Sequence, residues 1–289
     1  LVGGVWALIL TFAVVAVAWR TPKFDPAKPG RALPGWVTTA VDSRPVRSIL
    51  AAAALLVTGW VGIAAIWGPQ NADNALPGSF YVLLWVGLVA VSVLLGPVWR
   101  VISPVRTLWG LLGGKRTGYP PRGYPQRWGY WPAAAGLFAF VWLELASPDP
   151  GSLGAIKVWI SLFAVAMQKD AAVFGSTWLA RADPFEVYSM TVSRLAPLRR
   201  NTATGRIVVG NPLDHLPTLP VRPGTVAVMA MLLGSTAFDS FSGFTGFRNF
   251  VDRNAAGVPL IGESGGGSAI RTVGLLVFVA VVGVTFSAA

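Results

Sequence analysis

Two stretches, Ile49–Trp67 and Phe80–Trp99, run without one charged side chain. Each is close to the ~20 residues a helix needs to cross about 30 Å of hydrocarbon. Five more apolar runs, Leu1–Trp19, Pro132–Ala146, Leu153–Phe174, Thr225–Phe238 and Thr272–Ala289, bring the candidate spans to about seven. Pro132–Ala146 and Thr225–Phe238 are short, and need flanking residues, tilt or partial re-entry to complete a crossing. Each span is expected to be helical, because hydrocarbon offers a bare amide no partner. A β-barrel would instead alternate over segments of about ten residues, unlike the continuous run Val82–Leu95. The expected fold is therefore all-α: a polytopic transmembrane helical bundle, one transmembrane domain over residues 1–289. Leu1–Ala18 has no basic region before it and Trp19-Arg20 after it, so it reads as a span and not as a signal peptide. The chain starts inside one apolar run and stops inside another, which reads as a fragment of a longer polytopic protein.

The charges sort themselves around these runs. Arg20–Ser48, Arg100–Trp131 and Arg181–Gly224 hold six Lys or Arg each, eighteen of the 23 in the chain, while Gly68–Ser79 and Ser147–Ser152 hold none. Basic loops in alternation are what the positive-inside rule requires. They place the three basic segments in the cytoplasm and the N-terminus outside, in the cell inner (plasma) membrane. The same distribution accounts for the net charge of +11 without nucleic acid as a partner. Only 12% of residues are charged, against about 25% in soluble domains, so the expected partner of this surface is the lipid bilayer. Zero Cys and a single His, His215, exclude disulfides, thiol catalysis and a multi-histidine metal or haem site. Trp19, Trp67, Trp99 and Trp131 stand at the ends of apolar runs, where an indole anchors at headgroup level.

Local order is strongest in the segment 181–224. Asp183-Pro184-Phe185-Glu186 combines an N-cap acid, proline at the first helical position and a glutamate at the third. Phe185, Tyr188, Val192 and Leu195 then recur at helical spacing opposite Glu186, Ser189 and Ser193, until Pro197. That pattern predicts a cytoplasmic amphipathic interfacial helix, a peripheral scaffold or a docking face for a membrane-protein partner. Asn201–Gly205 reads as a turn and Arg206–Val209 as a short strand.

The strings Leu95-Gly96-Pro97-Val98-Trp99-Arg100, Arg127-Trp128-Gly129-Tyr130-Trp131-Pro132-Ala133, Asp183-Pro184-Phe185-Glu186-Val187-Tyr188-Ser189 and Leu233-Gly234-Ser235-Thr236-Ala237-Phe238-Asp239 carry a resemblance. In their order the chain resembles the bacterial, notably actinobacterial, multi-span proteins called fenitrothion hydrolase-like. The resemblance covers essentially the whole chain and implies that C-terminal spans of a longer protein are missing. It also implies cleavage of organophosphate esters, without supplying catalytic residues to carry over. Gln168-Lys169-Asp170 departs from the family pattern in being unusually polar for the fifth span.

Hydrolysis of phosphotriesters is most often metal-assisted, because a cation lowers the pKa of its water and stabilises developing charge. Glu144 and Asp149, at the end of the fourth run, and Asp239, at the end of the sixth, fall at similar depth on the outer side. They are the candidate catalytic and metal residues, suited to a divalent cation such as Mg or Ca; no other cofactor is expected. Solvation, or pairing with Arg248 or Arg253, is the plainer role for them. Gly262-Glu263-Ser264-Gly265-Gly266 matches the G-x-S-x-G elbow, but no strand pattern precedes it and His215 belongs to the opposite side, so it reads as a flexible loop. Lys169 and Asp170 diverge by about 100° around a helix, which predicts snorkelling for Lys169 and an arginine partner for Asp170. Gly234-Ser235-Thr236 suits close helix packing. Two readings stay open: a membrane component acting in permeation or as an accessory subunit, and a membrane-bound organophosphate ester hydrolase.

Overall fold

The computed structural model describes residues 24–28, 30–71, 73–115, 117–119, 122–257 and 262–288, with Leu10, Val14 and Ala18 as isolated positions. The expected span Leu1–Trp19 lies outside the described residues. The rest is mainly helical, in chain order α1 (Gly35–Asp42), α2 (Arg44–Trp67), α3 (Ala75–Leu95), α4 (Trp99–Ile102), α5 (Pro104–Leu111), α6 (Trp131–Leu145), α7 (Leu153–Phe174), α8 (Ser176–Ala182), α9 (Pro184–Val192), α10 (Thr225–Ser242), α11 (Thr245–Asn254) and α12 (Gly262–Ala288).

Four helices are long and apolar enough to cross a membrane: α2, α3, α10 and the stretch Gly265–Ala288 of α12. Their outward faces support membrane association, since Leu56, Trp60, Ile63 and Trp67 on α2 stand exposed. A contiguous apolar surface of this kind is one water disfavours by about 25 cal/mol per Å². The two remaining runs form the expected helices without meeting that description. α6 has only 15 residues. α7 has 22 but carries Lys157, Lys169 and Asp170. The boundary expected at Trp99 also shifts: α3 ends at Leu95 because Gly96 turns the chain with φ of 97°, and Trp99 opens a separate short helix. Within α3, residues Gly78–Gly87 are wound as a π-helix, a geometry that adds a residue per turn and is often met at functional positions.

α6 is the central post. Leu137, Phe140 and Val141 have no exposed surface, and α8, α9, α10 and α12 pack around them. α10 and α12 form the tightest pair. They approach at Gly234, where a Cβ would come within 2.8 Å of the Val279 Cα, so the small-residue reading of Gly234 holds. The glycine-rich stretch near Ser264 is not a loop. It winds the first turns of α12, and Gly266 lies so close to the Ala255 carbonyl that any side chain there would collide with it. Close backbone approach, not flexibility, is what these glycines supply.

The three basic segments meet at one end of the bundle. A small antiparallel sheet in the order β1 (Arg31–Ala32), β3 (Ile207–Val209), β2 (Leu198–Arg200) joins the first to the third, pairing Arg31 with Val209. Arg200 clasps Asp42 at 2.8 and 2.9 Å, and Arg199 donates to the Lys28 carbonyl at 2.7 Å. The second basic segment joins them where Tyr130 N–H donates to the Pro223 carbonyl at 2.7 Å and Arg181 to Gln126 at 3.1 Å. At the other end, Lys157 of α7 donates to Gln70 at 2.7 Å and the Tyr81 hydroxyl of α3 to the Pro150 carbonyl at 3.0 Å, fastening each of the two loops that hold no Lys or Arg to a helix.

Candidate functional site

Asp183 starts α9 as its N-cap. Its Oδ1 accepts from the Phe185 and Glu186 amides at 2.9 and 3.3 Å, satisfying two donors that a helix start leaves orphaned. The third donor comes from far along the chain: Trp99 Nε1 donates to Asp183 Oδ2 at 2.8 Å. The carboxyl is 1% exposed. Burial pushes its pKa up to about 7, against the three N–H groups that favour the charged form, with nearby Glu186 adding to the rise.

Glu186 is the residue a capping box would turn back onto the helix start. It turns outward instead, and its Oε2 accepts from both Nε and Nη2 of Arg106 on α5. Burial raises its pKa while Arg106 and Arg100 pull it down. One turn along α9, Ser189 shares a hydrogen bond of 2.8 Å with Ser92 of α3 and accepts from the Trp99 amide at 3.4 Å. On α7, Gln168 Nε2 caps the Val105 carbonyl at 2.8 Å. Two interrupted helical segments, α3–α4–α5 and α8–α9, are thus joined through buried polar side chains at three successive levels.

This arrangement corrects two expectations. α9 does not lie on a surface, because Phe185 and Tyr188 on one face and Glu186 and Ser189 on the other are all buried. The polar stripe is satisfied by α3, α4 and α5, so it has no need of water. Nor is Trp99 an interfacial anchor; at 6% exposure it belongs to the core, whereas Trp67 and Trp131 do stand exposed.

Between this network and the opposite end of α6 lies an aromatic block. The Phe140 ring packs against Phe80, Trp85, Phe185, Trp159 and Tyr81 with centroids 4.8 to 5.9 Å apart. Past it, Glu144 is half-buried in the last turn of α6, and Asp239 stands in the last turn of α10. They lie at one end of the bundle, where Leu145, the neighbour of Glu144, lines a pocket together with Asp239. Asp149 is near Tyr81 but belongs to a separate exposed turn. Among the described residues no three His, Cys, Asp or Glu side chains converge as metal ligands, so the trio Glu144, Asp149 and Asp239 is not assembled as a cation site. An open pocket of about 340 Å³ at this end is lined by Asp239, Ser242, Phe247, Arg248, Asp252 and Arg271 among others.

His215 lies at the basic end, its Nε2 3.2 Å from Arg194 Nη1, and burial with two neighbouring arginines lowers its pKa. Lys169 and Asp170 correct a third expectation, since they pair with each other at 3.4 Å. The lysine stem is long enough to reach around the 100° that separates neighbours on a helix. Arg106 and Trp99 were legible only as a loop charge and a belt residue; no local signal marks either as a partner of α9. Comparison with protein-family models, with curated proteins and with solved structures found no match for the chain.

Proposed function

We propose that the chain is a permeation component of the cell inner membrane, with its basic end cytoplasmic, whose gate is built on Asp183 and Glu186. The observation that carries this reading is the joining of two interrupted helical segments by buried carboxylates. Broken helices are tolerated at depth in membrane proteins where they are enclosed by protein or line a cavity, and permeation sites are commonly made from them. The polar network at one end of α6, Glu144 at the other and the aromatic block around Phe140 between them fit a closed state. The permeant is a proton or small cation, because both groups at the gate are acids. Burial favours the protonated form of Asp183, so loss of its proton leaves a carboxylate that the closed packing disfavours and biases α9 to move relative to α4.

Full-length protein in vesicles loaded with a pH-sensitive dye tests this. Proton entry above that of protein-free vesicles, lost in Asp183→Asn and Glu186→Gln, is the expected result. Entry no faster than in protein-free vesicles would refute the proposal.

A second reading, a membrane-bound organophosphate ester hydrolase, is favoured by the resemblance and by Glu144 and Asp239 lying within each other's field. The same purified protein, assayed for phosphotriester hydrolysis with and without divalent cations, separates the two. Turnover abolished by Glu144→Gln with Asp239→Asn supports hydrolysis; no turnover removes it.

A further inference from the structure

We infer that the pocket between α10, α11 and α12 binds a zwitterionic phosphate ester carrying a primary ammonium, the chemistry of phosphoethanolamine. The inference is independent of the permeation reading. Three helices supply its polar groups: Asp239 and Ser242 close α10, Arg248 and Asp252 lie on α11, and Arg271 projects from α12, with Leu145 of α6 completing the lining. Arg271 falls within the stretch Gly265–Ala288 that is apolar enough to cross a membrane. An ionised side chain there is costly unless it faces water or a partner. Yet none of the charged groups Asp239, Arg248, Asp252 and Arg271 makes an ion pair or side-chain hydrogen bond among the described residues.

The pocket therefore presents two guanidinium groups and two carboxylates that do not neutralise one another directly. A simple anion on the arginines would also face both carboxylates, and a simple cation would face both arginines. A molecule with both signs satisfies all of them. The phosphate takes the arginines, whose planar N–H forks match phosphate oxygens, and the ammonium donates to Asp239 and Asp252. Phe247 supplies an apolar wall for the hydrocarbon part of the ester. The site lies where α10 ends at Ser242, the level at which a span of this length meets lipid headgroups.

The test is calorimetric titration of the purified full-length chain in detergent with short-chain phosphatidylethanolamine, its phosphatidylcholine and phosphatidylglycerol counterparts, and soluble phosphoethanolamine. Ethanolamine lipid should bind about tenfold tighter than choline lipid, whose quaternary nitrogen cannot donate a hydrogen bond. Arg271→Gln and Asp252→Asn should each weaken binding by about tenfold or more, the scale of a lost charge-assisted hydrogen bond. Arg253→Gln, at a basic position outside the pocket, should leave it unchanged. Should Arg271→Gln fail to fold, Arg271→Lys and Asp252→Asn carry the same expectation. Binding by soluble phosphoethanolamine as tight as by the lipid assigns the site to a free ester, and binding by the lipid alone assigns it to the headgroup. Equal affinity for choline lipid, or undiminished affinity in folded Arg271 and Asp252 variants, overturns the inference.

Discussion

The Trp99 indole donates to Asp183 at 2.8 Å, joining residues 84 positions apart in a pocket closed to water. The two ends of that bond differ in what they tolerate. Trp99→Phe keeps a six-membered aromatic ring but loses the N–H donor and the pyrrole part of the indole, leaving Asp183 with its two amide donors. Asp183→Asn keeps an acceptor for the amides but brings an N–H₂ group against the indole N–H. Asp183→Asn should therefore lower stability by about 2 kcal/mol and Trp99→Phe by about 1 kcal/mol. Thermal unfolding of the detergent-solubilised variants measures both.

The same carboxyl makes stability depend on pH. Its folded pKa of about 7 lies above the ordinary value of 3.8, so the folded state binds the proton more tightly than the unfolded one. The stability this contributes is fully present below about pH 4 and is lost as pH rises through 7. Unfolding midpoints of the parent protein and Asp183→Asn, compared between pH 5 and pH 8, should converge at the alkaline end as the parent loses its advantage. A difference that widens with pH would contradict this assignment.

Arg106 and Glu186 have side chains 20% and 8% exposed. Removing one charge strands the other, which in buried pairs costs about 3 kcal/mol. Glu186→Gln and Arg106→Met should each destabilise on that scale, reduced somewhat by the solvent that reaches Arg106. Combined, Arg106→Met with Glu186→Leu should cost less than the sum. A double-mutant cycle on unfolding midpoints reads the coupling directly.

Gly234 has no space for a side chain against Val279. Gly234→Val should separate α10 from α12 and lower stability by about 1–3 kcal/mol, the usual range for overpacking. Gly246, which has open space around its Cβ position, serves as the neutral comparison in the same unfolding assay.

Helix existence was legible from the sequence because apolar composition persists over a whole span, and the cap at Asp183-Pro184 because its residues are adjacent. The strand at Ile207–Val209 was legible for the same reason, though its partner at Arg31–Ala32 was not. What α9 buries was not legible. Phe185, Tyr188, Glu186 and Ser189 give an amphipathic pattern whether the polar stripe faces water or faces Ser92, Trp99 and Arg106. Periodicity records polarity and not the identity of the partner. That Glu144 and Asp239 stand in the last turns of their helices was readable from where the apolar runs end. The basic lining of the nearby pocket was not, because Arg248 and Arg271 belong to a hairpin whose fold depends on Gly266 meeting Ala255.

The little sheet at the basic end sets a schedule for assembly. β1 lies just after the first apolar run, yet its partner β3 is made only after α2 to α9 have left the ribosome. Until then Arg31 and Ala32 lack their strand partner, and Asp42 has its neighbour Arg47 but not yet Arg200. Closing this sheet is therefore a late, long-range event that locks the first basic segment onto the third.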